Sequence, residues 1–326
     1  MRPQRKRVSR DTRPAASSSS RRLGWFLAVL AAVPVVAAFE FPRFLAAWEK
    51  PVPPASAPAA SPSVSPATAS DSRNVAIEEI ARLAPQQQAE RLLELAANHD
   101  GKSLELIRQS LPAWHGRLEN TDQLFDLVLK ALGSDDLRVR AAAVEIDLAA
   151  NHLAKSPQSV ARLIRITRVD PSRRSLALWR LGALGNRGVE PKTVLNTLLL
   201  YAHHVNLDTR YWAVEGLSML ATDATIDPLL DILRHDPSSR VRERAASALA
   251  QSGLFTKDQR LSAVPHLLNS LDDDGLDDKT RGWVVWTLRT ITGAVIGDDI
   301  NAWRDWWTNH DRAPKRSPSR PGLYRV

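Results

Sequence analysis

The stretch 236-DPSSRVRERAASALAQSG-253 carries three arginines and a run of alanines within eighteen residues, and it reads either as a basic patch or as one copy of something repeated. The rest of the chain decides between the two. With Arg242 as origin, matching arginines fall at Arg140, Arg174, Arg210 and Arg281, so that the five stand at intervals of 34, 36, 32 and 39 residues. Three and four residues beyond each stand Ala143-Val144, Ala177-Leu178, Ala213-Val214, Ala245-Ala246 and Val284-Val285. Seven residues beyond stand Leu181, Leu217, Leu249 and Leu288, with Asp147 as the single exception. A period of this length, with room for two helices in each copy, marks an array of stacked helical hairpins, because one hairpin cannot bury its own apolar face. Within the quoted copy Val241, Ala245, Ala248, Leu249 and Ser252 share one side of a helix, and the small residues there let a neighbour approach closely. Arg240, Glu243 and Ser247 point elsewhere, so the arginines are expected mostly on a solvated face broken by Glu243.

The form D-P-x-x-x-V-R-x-x-A-A-x-A-L, present as Asp236-Pro237, Val241-Arg242, Ala245-Ala246 and Ala248-Leu249, is similar to the second helix of a HEAT repeat, particularly the short bacterial kind also found in phycobilisome lyases. The resemblance covers five hairpins over residues 121–292, with three further helices between 74 and 118 as an atypical N-terminal cap. It implies an all-α, armadillo-like fold, an α-solenoid of HEAT-like hairpins over residues 74–310, and a docking surface for other proteins. In that family the Asp of the turn and the Arg of the second helix form a ladder along the stack. Here only Asp236 with Arg242 matches both positions. The residues six before the other arginines are Ser134, Arg168, His204 and Gly275, with Asp135, Asp170, Asp208 and Asp277 nearby as substitutes. The end of the array, 290-TITGAVIGDDINAWRDWWTNH-310, is similar to the terminal element of many bacterial HEAT-repeat proteins. Asp299 is expected to cap its helix, and Trp303, Trp306 and Trp307 to close the last hairpin, since aromatic stripes at helical spacing usually pack a core. The competing readings of the tryptophans are a ligand box and a membrane-surface anchor.

The chain has 326 residues, no cysteine and a formal net charge of +8. Residues 1–22 hold +7 and residues 311–326 hold +4, which leaves the 288 residues between them at −3. A slightly acidic body lacks the broad positive field of a phosphate-binding surface, so no nucleic-acid partner is expected. After the basic arm comes 23-LGWFLAVLAAVPVVAAF-39, seventeen residues without a charge, which reach roughly 26 Å as a helix and suffice for a thin bilayer. Residues 23–40 are therefore expected to be a membrane-insertion segment; Val36-Ala37-Ala38 offers a cleavage site, while the long arm favours an uncleaved anchor. The charge asymmetry places the arm 1–22 in the cytoplasm and the array outside it, as a single-pass protein of a bacterial inner membrane whose repeats are periplasmic or otherwise extracytoplasmic. Residues 41–73 combine an interfacial stretch with a Pro/Ala/Ser spacer, and 311–326 form a basic disordered tail.

Catalytic chemistry needs converging groups, and no H-E-x-x-H, G-x-S-x-G or P-loop pattern occurs. His203-His204 point to different sides of a helix, and 272-DDDGLDD-278 lacks the ordered spacing of a calcium loop. No catalytic residue, cofactor or metal is assigned. The expected function is a membrane-anchored, extracytoplasmic scaffold for protein–protein interaction rather than an enzyme. The alternatives are an enzyme on a HEAT-like array, bilin-lyase-like or another lyase, and a nucleic-acid-binding HEAT-like protein.

Overall fold

The structure, a computed structural model, describes residues 79–98 and 100–311. The expected arm 1–22, insertion segment 23–40 and linker 41–73 lie outside the described residues, as does the tail after 311. Among the described residues every regular element is helical, and no helix is long and apolar enough to cross a membrane. A helical turn at 79–81 is followed by α1 (Pro85–Ala97), α2 (Gly101–Trp114), α3 (Asp122–Leu132) and α4 (Leu137–Ala150). Then come α5 (Pro157–Val169), α6 (Arg174–Asn186), α7 (Pro191–Ala202), α8 (Leu207–Leu220), α9 (Ile226–His235) and α10 (Ser239–Ala250). The last group is α11 (Lys257–Ser262), α12 (Val264–Ser270), α13 (Asp278–Thr292) and α14 (Ile300–Asp311).

Local sequence explains where these helices begin. Proline opens α1, α5 and α7, where its missing N–H has no helical partner anyway. The side chains of Thr121, Asp136, Ser156, Asn206 and Asp277 accept from backbone N–H groups at the starts of α3, α4, α5, α8 and α13. The periodicity expects one first helix in the fifth hairpin, but the chain divides it into α11 and α12. Pro265, in the first turn of α12, supplies no N–H to continue the earlier ladder.

The second helices α6, α8, α10 and α13 run parallel and in register. Gly182 meets the backbone of Gly216 so closely that an added Cβ would lie 2.0 Å from the Gly216 carbonyl oxygen. Further along the same pair, Asn186 Nδ2 donates to the Leu220 carbonyl at 3.1 Å. The Ser218 carbonyl accepts from Leu254 N, just beyond the end of α10, at 3.0 Å, and Thr287 Oγ1 donates to the Ala246 carbonyl at 3.4 Å, linking α13 to α10.

Helix α4 does not join this row in the same way. One of its faces, with Val139, Ala143, Ile146, Ala149 and Ala150, belongs to an apolar core shared with α1, α2 and α3 that ends at Ala150. Its other face, with buried Val144, Glu145 and Leu148, is turned away from that core. Helix packing is close within α1–α4 and within the row from α5 onward, and sparse between the two.

Candidate interaction surface

All five repeat arginines do the same work, and it is structural. Arg140 donates to the Ser134 carbonyl at 2.6 Å, Arg174 to Thr167 at 2.8 Å, Arg210 to His204 at 3.0 Å, Arg242 to Asp236 at 2.8 Å and Arg281 to Leu271 at 2.6 Å. Each guanidinium thus satisfies a carbonyl left over near the C-terminal end of its hairpin's first helix and places a cation at the negative end of that helix. A backbone acceptor explains why the position six residues earlier tolerates Ser, His or Asp. The side-chain ladder exists over part of the stack only. Arg210 grips Asp236 of the next hairpin through Nε at 2.8 Å and Nη2 at 3.2 Å, and Arg242 reaches Asp277 at 3.1 Å and the Thr280 hydroxyl at 2.9 Å.

The expected solvated face of the quoted helix is corrected in one respect. Arg240 is exposed, 3.4 Å from Asp208, but Arg244 turns inward, where Nη2 donates to Glu215 Oε2 at 2.8 Å and Nε lies 2.6 Å from Oε1. Burial disfavours the Arg244 charge, yet the adjacent Glu215 holds its pKa above the ordinary value.

Asp147, the exception in the apolar column, is buried with a forked ion pair to α6. Arg180 donates to it through Nε at 2.9 Å and Nη2 at 3.0 Å. Beside it buried Glu145 takes Arg187 Nε at 2.8 Å and lies 3.0 Å from Lys155 Nζ, while Arg187 Nη2 also donates to the Ala141 carbonyl at 3.1 Å. The order of these contacts is reversed relative to the rest of the row: Ala141 and Glu145 meet Arg187 near the end of α6, and Asp147 meets Arg180 nearer its start. At the far side of α4, burial and then the positive charge of Arg140 push Arg260 of α11 down to about 9, although three carbonyls, of Ala248, Leu249 and Ser252, accept from its guanidinium.

Three exposed apolar residues lie close together in the stack, while exposed Leu83 and Val295 lie at its two ends. Val169, the last residue of α5, and Val205, in the turn entering α8, each stand five residues before a repeat arginine and are 71% and 93% exposed; Leu200 near the end of α7 is 69% exposed. Because α6 and α8 pack side by side, the turns entering them are neighbours, and the Arg174 guanidinium lying 5.8 Å from the Tyr201 ring centre joins the two hairpins there. Exposed Arg162, Arg165, Arg168 and Arg173 flank this edge. His203 is exposed beside it, and His204 Nδ1 accepts from Asn206 N at 3.0 Å.

The remaining candidates are used in the fold. Trp303 is fully buried and donates from Nε1 to the Gly297 carbonyl at 2.9 Å; Trp306 stands edge-on to it, 6.0 Å between ring centres, and with Trp307 is only partly buried. Asp299 caps α14, accepting from Asn301 N at 2.9 Å. In the aspartate run, Asp272 pairs with Arg304, Asp273 accepts from Gly275 N at 2.9 Å, and Asp277 caps α13. Among the described residues no group of three or more potential ligands is placed to hold a metal ion. A cleft of about 570 Å³ near the N-terminal end is lined by Glu79, Glu90 and Glu94 among leucines, with Arg91 beside Glu94.

Residues 165–250, from the middle of α5 to the end of α10, match the family model described as HEAT repeats. That stretch holds Arg174, Arg210 and Arg242 in stacked hairpins. No curated protein matches the chain. Among solved structures, a crystal structure of an engineered protein is similar at 20% identity, over 63% of this chain and 99% of its own, with a TM-score of 0.31, too low to inform the fold.

Proposed function

We propose that the chain is a scaffold that docks other proteins on its helical repeats, held at a bacterial inner membrane by residues 23–40 with the repeats outside the cytoplasm, and that it has no catalysis of its own. HEAT repeats commonly mediate protein–protein interaction, and the match over 165–250 supports that reading. The observation that carries it is the exposed edge of Val169, Leu200 and Val205 within the matched stretch, an apolar strip rimmed by arginines. A photo-crosslinking residue at Val205 in intact membranes should give one discrete protein adduct that disappears with Val169→Ser and Leu200→Ser together. An adduct pattern indifferent to those substitutions would remove the edge as a docking surface. The topology rests on the basic arm and the charge-free segment. Alkaline phosphatase fused after Val326 should be active, and an inactive fusion alongside an active cytoplasmic reporter at the same point would reverse the orientation.

A further inference from the structure

The joint between α4 and α6 differs from every other joint among the second helices. Elsewhere the second helices pack closely along their length, with Gly182 on Gly216 between α6 and α8, and where charge crosses, as at Arg244 with Glu215, it accompanies that packing. Here backbone packing is sparse, the apolar core of α1–α4 stops at Ala150, and what crosses is charge: Asp147 with Arg180, and Glu145 with Arg187, while Lys155 of the connecting segment also lies against Glu145. Few apolar side chains accompany them on α4, chiefly Val144 and Leu148. Buried ion pairs satisfy one another when closed and are satisfied by water when apart, so they hold two surfaces together weakly compared with an apolar seam of the same area.

We infer that α4 is a lid: the α1–α4 block swings off α6 about residues 151–156, and the uncovered Arg180 and Arg187 take the carboxylates of an acidic partner segment in place of Asp147 and Glu145. The inference rests on the reading of the repeats as a docking surface and names the chemistry of what docks. The ligand class follows from what α4 presents, two carboxylates two residues apart on a helix. One is held by both arms of Arg180, a planar fork suited to carboxylate. The reversed contact order fits a lid laid across the start of the row, since a helix continuing the row in register would meet Arg180 before Arg187.

The chain has no cysteine, so Ala113→Cys on α2 and Lys192→Cys on α7, both at exposed positions, give the full chain its only two spin-label sites. In the chain carrying only these two changes the distance between labels should be short and narrowly distributed. Asp147→Arg should move most of the population to longer, broader distances, and adding Arg180→Asp should bring it back. A synthetic oligoglutamate peptide at low salt should cause the same lengthening, and lose the effect when Arg180 and Arg187 are both replaced by Ala. An unchanged distance after Asp147→Arg overturns the lid. So does a loss of helical signal across the whole chain that the Arg180→Asp reversal fails to restore. Lengthening by oligoglutamate that survives loss of both arginines overturns the docking site. None of these readings uses a cellular partner, so a failed crosslink at Val205 leaves them standing.

Discussion

At Gly182 the missing side chain is a packing requirement. An added methyl would lie 2.0 Å from the Gly216 carbonyl oxygen, and that obstacle is backbone, which cannot rotate aside. Gly182→Ala should therefore destabilise the chain at the top of the usual overpacking range, about 3 kcal/mol or more, read as a lowered urea midpoint. Gly282, inside α13, is the control: a methyl there meets nothing within 4 Å, and Gly282→Ala should gain about 0.5–1 kcal/mol from helix propensity. If both substitutions behave alike, close approach of α6 and α8 is not what the glycine serves. Asp277 supplies a test of charge at the same scale. The Thr280 hydroxyl, donating at 2.8 Å, and then the Thr280 backbone N–H hold its carboxyl below the usual carboxylate range, and Arg242 adds to the effect. A carboxyl depressed in the folded state contributes stability that is complete above the unfolded value of about 3.9 and is lost as pH falls through the folded value. Asp277→Asn keeps a capping side chain but removes the carboxylate, so the neutral melting temperature should fall modestly, the further fall in acid should become shallower, and the two chains should converge at low pH.

Helix α14 packs against α12 of the last hairpin, and its tryptophans are buried unequally. Trp303 is fully buried, so Trp303→Ala should cost about 3–5 kcal/mol, whereas partly buried Trp306 and Trp307 should cost less. Hydrogen exchange should show the loss first in α13, because each repeat contacts mainly its neighbours. Undiminished protection over residues 278–292 would take the cap role away from Trp303. This helix was legible in the sequence, as were the hairpin period, the five arginines and the prolines opening α1, α5 and α7, because each is written in local spacing. The partner of Asp147 was not. A carboxylate in an apolar column announces that something must satisfy it, but Arg180 lies 33 residues away and outside the repeated arginine column. The inward turn of Arg244 was hidden for the same reason: helical spacing says which residues share a face, and only the neighbouring helix says whether Glu215 waits there. The break between α11 and α12 had its signal in Pro265, which the periodic reading passed over.

For the described residues taken together, the consequence is two cooperative blocks. The core of α1–α4 is apolar and closed at Ala150, and the row from α6 to α13 is held by close helix packing, tightest at Gly182 and Gly216, that does not involve it. In a repeat array stability is close to a sum of unit stabilities and nearest-neighbour interface terms, so the weakest interface decides where cooperativity breaks. The ion-paired joint between α4 and α6 is that interface, because the pairs crossing it gain little over their hydrated state, while the interface at Gly182 and Gly216 forfeits close packing if opened. Rising urea should therefore give two transitions, with amide protection in α1–α3 and in α7–α8 lost at different midpoints. The strongest protection should sit in α8, packed between α6 and α10. High salt should spread the two midpoints further apart, by weakening the charged joint more than either apolar core, with the effect damped by burial of the pairs. A single transition with coincident loss of protection across both blocks, unmoved by salt, would mean that α4 is coupled to the row as firmly as the second helices are to one another, and the polar joint would then be no division at all.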